Sequence, residues 1–158
     1  MKMENGKLKK YKLGEIAEIT AGGDAPKNYT KKQTADNSIP IYSNGIDNEG
    51  LYGYTNISKI NRKAFTVSAR GTIGVSFKRN MPYFPIVRLL SVIPKNNNFD
   101  LDYLYYASKL FKFKKDGSVQ QQLTVPMLTE IEISIPPLES QQKIAAVLSA
   151  LDDKIALN

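Results

Sequence analysis

The side chains that carry out most protein chemistry are missing from this sequence. Its 158 residues include no histidine and no cysteine. That removes Ser-His and Cys-His nucleophilic pairs, thiolate and imidazole zinc ligands, and the commonest general base. The same count excludes disulfides. Carboxylates remain, but the aspartates before the closing segment (Asp24, Asp36, Asp47, Asp100, Asp102 and Asp116) are scattered and form no acidic pair of recognisable spacing. Gly71-Thr72-Ile73-Gly74 lacks the third glycine of a phosphate cradle, and no Walker A loop is present. What is abundant is positive charge: 22 Lys and Arg against 15 Asp and Glu, a formal net +7. Residues 139–158 hold two lysines against three carboxylates, so the first 138 residues carry a net +8. Surface cations release condensed counterions from phosphates, so a basic body suits nucleic acid or another polyanion. The chemistry expected is binding without catalysis, and neither a cofactor nor a metal is expected.

The elements that must hold such residues can be placed from pattern. The length fits one domain, or one domain plus an appendage. No apolar run approaches the ~18–20 residues of a membrane span, and the polar start MKMENGKLKKYK lacks the apolar stretch of a secretory signal. A cytoplasmic protein without membrane contact is expected. Ala21–Ser38 is rich in turn formers and lysine and reads as a long loop. Ile39–Ser43 reads as a strand running into Asn44-Gly45, a favoured two-residue hairpin turn. Ala64–Ser68 and Gly74–Lys78 read as short strands, and the apolar run Ile86–Ile93 as a central one. Asp100 is placed to cap a helix from Leu101 to about Lys114, ended by Asp116-Gly117. Leu123–Val125 suggests a further strand. Glu130–Ile135 alternates strictly, with Ile131, Ile133 and Ile135 on its buried face, until Pro136-Pro137 stops it. A helix from about Leu138 to Leu157 follows. The expected fold class is α+β: a mixed, twisted sheet with few helices in residues 1–137, then a closing helix in 138–158.

In that helix Ile144, Leu148, Leu151 and Ile155 are spaced 4, 3, 4, the seam of a coiled coil. Periodicity also allows the helix to pack back on its own domain, and two heptads do not decide between the two. The segment PPLESQQKIAAVLSALDDKIALN resembles the stretch that closes a target-recognition domain in specificity (S) subunits of type I restriction-modification enzymes. Pro136, Pro137, Leu138, Gln141, Ile144, Ala145, Leu148, Leu151, Asp152 and Ile155 stand where that pattern expects them. KLGEIAEITAGG (12–23) resembles the family's opening segment, RGTIG (70–74) its mid-domain turn, and Gly117-Ser118 with Gln120–Leu123 its GSxQxxL segment. Ile135-Pro136-Pro137-Leu138 has the prolines of the adenine methyltransferase motif [DNS]-P-P-[YFW], but neither the polar residue before them nor the aromatic after.

The resemblance implies a sequence reader for double-stranded DNA. It would dock a DNA methyltransferase (modification) subunit, and through it a restriction subunit, and those partners would methylate and cut. Full specificity subunits carry two recognition domains and two long helices. One of each here implies either a homodimer through the closing helix, reading an inverted-repeat site, or a truncated form. The alternative is a degenerate module that binds partner subunits without reading DNA. DNA contacts are expected from basic, amide and aromatic residues on loops. The candidates are Lys27, Tyr29, Lys31 and Lys32 on the first loop, Tyr42, Ser43 and Asn44 at a strand end, and Arg70 in its glycine turn. Lys78 and Arg79, then Lys112, Lys114 and Lys115 after the helix, and finally Gln120 and Gln121 complete the set. Each has an ordinary counterpart: a solvated loop, plain hairpin chemistry, a structural ion pair, or lysines favoured in a last helical turn.

Overall fold

Strands buried on both faces cannot alternate, and that is what the centre of the molecule shows. The computed structural model describes residues 2–3, 6–113 and 121–157. After a short hairpin (β1, Lys2–Met3; β2, Gly6–Lys7) come β3 (Lys9–Lys12), α1 (Leu13–Ile16) and β4 (Ala17–Ala21). Then follow β5 (Ile39–Tyr42), β6 (Leu51–Thr55), β7 (Ala64–Val67), β8 (Ser76–Arg79), β9 (Phe84–Pro85) and β10 (Leu90–Pro94). The chain closes with α2 (Leu101–Ser108), α3 (Val125–Thr129), β11 (Glu132–Ile135) and α4 (Leu138–Leu157).

The main sheet is antiparallel with strand order β4-β10-β7-β8. All four residues of β7 and the first four of β10 are buried, so these two read as near-continuous apolar runs. Helices α1, α2 and α3, with β11, pack their apolar residues against one face. Leu13, Ile16, Phe65, Val67, Leu90, Val92, Leu104, Leu128 and Ile133 form the shared core. Each fully buried side chain of this kind contributes about 1.5–3 kcal/mol relative to exposure. A second sheet, β6-β5-β9, pairs β5 with β6 antiparallel and with β9 parallel. It has its own small cluster at Ile41, Phe84 and Ile86. Strand β11 pairs antiparallel with β3, Ile133 opposite Tyr11 and Ile135 opposite Lys9. That ladder sets the first long strand of the chain beside its last.

The expected α+β class and the closing helix hold, β11 forms from Glu132 with Glu130 and Ile131 ahead of it, and four further local expectations are corrected. Asn44-Gly45 is no two-residue hairpin turn. The register places Tyr42 opposite Leu51, and the connection between them spans residues 43–50 with a 3₁₀ turn at Asp47–Gly50. The Ile86–Ile93 run is broken by a turn at Val87-Arg88, so the strand itself begins at Leu90. Leu123–Val125 is not a strand: the Thr124 side chain accepts the Met127 N–H and caps α3, with Pro126 in its first turn. Asp100 does cap its helix, accepting Tyr103 N–H at 2.9 Å, but α2 ends at Ser108, well short of Lys114. Asp116 and Gly117 lie outside the described residues.

The closing helix has two working faces. Gln141 is buried and uses its whole amide: Oε1 accepts Asp100 N–H at 2.8 Å, and Nε2 donates to Asn98 O at 3.0 Å and Pro136 O at 2.9 Å. Ala145 is also buried, and Tyr106 of α2 donates its hydroxyl to Asp152 at 2.7 Å. This face lies on α2. The other face carries Val147, Leu151 and Ile155 at 62%, 50% and 72% exposure, with Ile144 and Leu148 half-buried between the two.

Candidate nucleic-acid interface

Loops at the ends of the two sheets converge on a cleft of about 680 Å³ whose lining includes Ser43, Asn44, Tyr52, Arg70, Thr72 and Val87. Each arrives by a different route. Ser43 leaves β5 with its N–H on Gly50 O at 2.8 Å. Arg70 is carried by the β7–β8 connection. There Gly71 and Gly74 take φ of 70° and 89°, which only glycine adopts freely and which explains both glycines of RGTIG. That turn is braced on Ser68, whose hydroxyl bonds Thr72 O and accepts Val75 N–H, and on Leu123, whose N–H reaches Ala69 O at 2.9 Å. Arg70 itself is exposed.

Asn44 ties the lining together. Its Oδ1 accepts Ala69 N–H at 2.8 Å and its Nδ2 donates to Val87 O at 2.7 Å. The residue expected to contact DNA is thus engaged in joining three loops. Beside the cleft, the Tyr29 and Tyr52 rings touch with centroids 5.4 Å apart and planes tilted by 42°, and their hydroxyls are 3.4 Å from each other. The hydrogen bond to Tyr52 holds the Tyr29 hydroxyl above its ordinary pKa. Lys31 Nζ sits 3.9 Å above the Tyr52 ring and donates to Tyr52 O at 3.3 Å. The long loop carrying these residues is pinned to the sheet, since Thr30 and Tyr54 exchange backbone hydrogen bonds of 2.9 and 2.8 Å. Lys27 and Lys32 are exposed on the same loop.

Other candidates sit elsewhere. Tyr42 lies beneath the Arg79 guanidinium, 3.5 Å from ring centroid to Cζ, and edge-on to Tyr83. Arg79 is only 3% exposed: Nε donates to Thr66 Oγ1 at 3.0 Å and Nη2 to Glu49 O at 2.7 Å, and burial lowers its pKa. Its guanidinium holds the 43–50 loop and offers nothing to a ligand at the surface. Lys78 pairs with Asp102 at 3.3 Å and lies over the Tyr105 and Tyr106 rings, which ties β8 to α2. Lys112 lines a separate, largely apolar hollow of about 790 Å³ with Tyr103, Phe111 and Met127. Gln121 is exposed. Lys114, Lys115 and Gln120 lie outside the described residues.

Two residues absent from the sequence expectations stand out, Tyr52 in the cleft and Arg88 at a separate recess. Tyr52 was hidden in a Gly-, Asn- and Tyr-rich stretch, and no spacing marked it. Arg88 was embedded in an apolar run that reads as strand interior. It is exposed in the turn after Val87 and lines a small recess with Ala21 and Gln122. Among the described residues no group of three or more His, Cys, Asp or Glu is placed to hold a metal, and no helix is long and apolar enough to cross a membrane.

Cations, amides and a pair of contacting tyrosines are gathered on these braced loops. The family model for the type I restriction modification DNA specificity domain matches residues 5–158, and the chain belongs to that family. It is 42% identical over 144 residues to a Mycoplasma pneumoniae protein named as a type I specificity subunit, covering 90% of this chain and 43% of the relative. A second such protein of that organism is 41% identical over 144 residues, covering 90% and 39%. The fold is similar to that of the S subunit of a type I restriction-modification system from M. genitalium. There the TM-score is 0.79 over 95% of this chain and 40% of that one, at 19% identity. The chain spans about two fifths of the length of these proteins.

Proposed function

We propose that this chain is a non-catalytic DNA-reading module of a type I restriction-modification system. It binds duplex DNA at a defined sequence and directs an adenine methyltransferase (modification) subunit, and through it the restriction subunit, to that site. Residues 1–137 form the recognition domain and 138–158 the start of the spacer helix, and the module works in the cytoplasm, where the DNA is. The observation that carries this reading is the cleft where Arg70 and Ser43, with the neighbouring Tyr29-Tyr52-Lys31 cluster, meet on loops locked by Asn44. Phosphates are held by such cations and bases are read by amides and guanidinium forks, but both require loops that keep their shape. The exposed row at Val147, Leu151 and Ile155 supports docking of α4 on another helix, from a partner subunit or a second copy.

The test is co-expression of the chain with its modification subunit in cells lacking other adenine methylation, followed by methylome sequencing. One defined methylated motif is expected, and it disappears when the chain is omitted. Association without any site-specific methylation sinks the proposal as a working specificity module.

A further inference from the structure

Arg88 occupies a turn that the fold goes to some length to hold. Val87 and Arg88 have φ of 52° and 67°, a left-handed conformation unfavourable for any residue with a Cβ and most of all for β-branched valine. Three hydrogen bonds from two other segments keep it there. Val87 N–H donates to Gly23 O at 2.8 Å, Arg88 N–H to Gly22 O at 2.8 Å, and Asn44 Nδ2 to Val87 O at 2.7 Å. Gly22 has no substitute at this distance, because a Cβ there would stand 2.6 Å from the Pro85 carbonyl carbon and 2.7 Å from Ile86 N. The Ala21-Gly22-Gly23 end of the opening segment is therefore the seat of this turn.

The four arginines divide cleanly. Arg62 pairs with Glu18, and Arg79 is buried under the 43–50 loop. Arg70 and Arg88 are exposed, and neither forms an ion pair among the described residues. Asn44 joins the backbone of the Arg88 turn to that of the Arg70 loop, so the two guanidinium groups are carried on one frame. A phosphate contact needs charge and reach, which a lysine on a relaxed loop supplies. A planar fork set on a base edge needs aim as well.

We propose that Arg88 is a specificity-determining residue that reads a guanine edge in the major groove, and that Gly22 and Asn44 are positioning residues that fix its direction. This rests on the reading of the chain as a DNA-recognition module. The test uses the full chain in complex with its modification subunit, and selects bound duplexes from a pool randomised across the site. Arg88→Ala is expected to lose preference at one guanine position by roughly 5- to 150-fold, with the other positions and the non-specific affinity unchanged. Arg88→Lys keeps the charge and any fold requirement, and is expected to lose the same preference while keeping the salt slope. Asn44→Asp removes the donor to Val87 O and is expected to blunt preference at that position with Arg88 still in place. A uniform loss of affinity across sequences in Arg88→Ala, with a salt slope shallower by about one, would identify a phosphate contact and overturn the assignment. So would a selective wild type whose preference survives in Arg88→Ala. A wild-type complex with no preferred sequence overturns the DNA-recognition reading and this assignment with it.

Discussion

Single side chains decide how firmly this fold is held, and Gln141 is the clearest case. In the family pattern it is only a matching letter, whereas in the fold its amide joins the start of α4 to the segment that begins α2. Gln141→Leu leaves one N–H and two carbonyls without their partner; the bond to Pro136 O is the buried one, worth about 1–3 kcal/mol, and the two part-buried groups can turn to water at lower cost. A loss of about 2–4 kcal/mol in a urea denaturation series is expected. Gln141→Glu keeps the acceptor but turns a carboxylate toward two carbonyls, and should be no better tolerated. A change below about 0.5 kcal/mol for either, the size of an ordinary surface substitution, would contradict the burial described. Tyr83 supplies a pH dependence. Burial pushes its hydroxyl up to about 12, against a hydrogen bond to Ser91 that lowers it. A group whose folded pKa is raised stabilises fully below its unfolded value, near 10, and loses that contribution as pH rises toward 12. The contribution is about 2–3 kcal/mol at a shift of this size. Tyr83→Phe removes the hydrogen bond to Ser91 and should be less stable at neutral pH for that reason, yet lose less between pH 10 and 12. Parallel stability curves for the two proteins over that window would contradict it.

Within one helix, α4, packing and exposure are separated by a third of a turn. Ala145 sits against α2, where a larger side chain has no room, so Ala145→Leu should cost about 1–3 kcal/mol in stability. Leu151→Glu with Ile155→Glu falls on the exposed row, where substitutions usually stay within about 0.5 kcal/mol. The double variant should keep its melting temperature and fail to co-elute with the modification subunit in size-exclusion chromatography. Retained co-elution would show that the partner docks elsewhere. The helix was legible in sequence because its period is long and regular, and β11 because one face only is buried. Packing back holds for the face at Gln141 and Ala145, whereas Leu151 and Ile155 of the expected seam stand exposed and Ile144 and Leu148 lie half-buried. The turn at Val87-Arg88 was not legible, because apolar residues in a row announce a buried strand and say nothing of φ. Helix α3 was missed because Val125-Pro126 reads as a strand end when the cap at Thr124 is not recognised. The same blindness governs the surface. Lys78 and Arg79 are adjacent in sequence, but alternation in a strand sends one to an ion pair with α2 and the other beneath a loop. Lys31 was expected at the surface for its charge, but its place over Tyr52 depends on a strand 20 residues away.

The molecule as a whole sets how binding responds to salt. Lys27, Lys31, Lys32 and Arg70 are exposed cations of the proposed surface. If about four of them meet phosphates, the logarithm of the binding constant should fall with log salt at a slope near −3.6, or on the order of a hundredfold between 50 and 200 mM. Fluorescence anisotropy with a labelled duplex measures that slope. Lys31→Glu with Lys32→Glu should flatten it, and a slope near zero in the unaltered protein would contradict a phosphate-tracking surface. The ladder between Lys9–Lys12 and Glu132–Ile135 has a consequence on this scale too. Because the strand that leads into the body lies beside the strand that leads out to α4, the loops of the proposed surface hang between two neighbouring points. Such an arrangement tolerates changes in the exposed loops that lie between. A different set of loops can be fitted on the same base, and α4 keeps its direction as long as α2, against which it packs, is retained. Loops at the sheet ends can change in length and sequence without redesigning the frame that carries them.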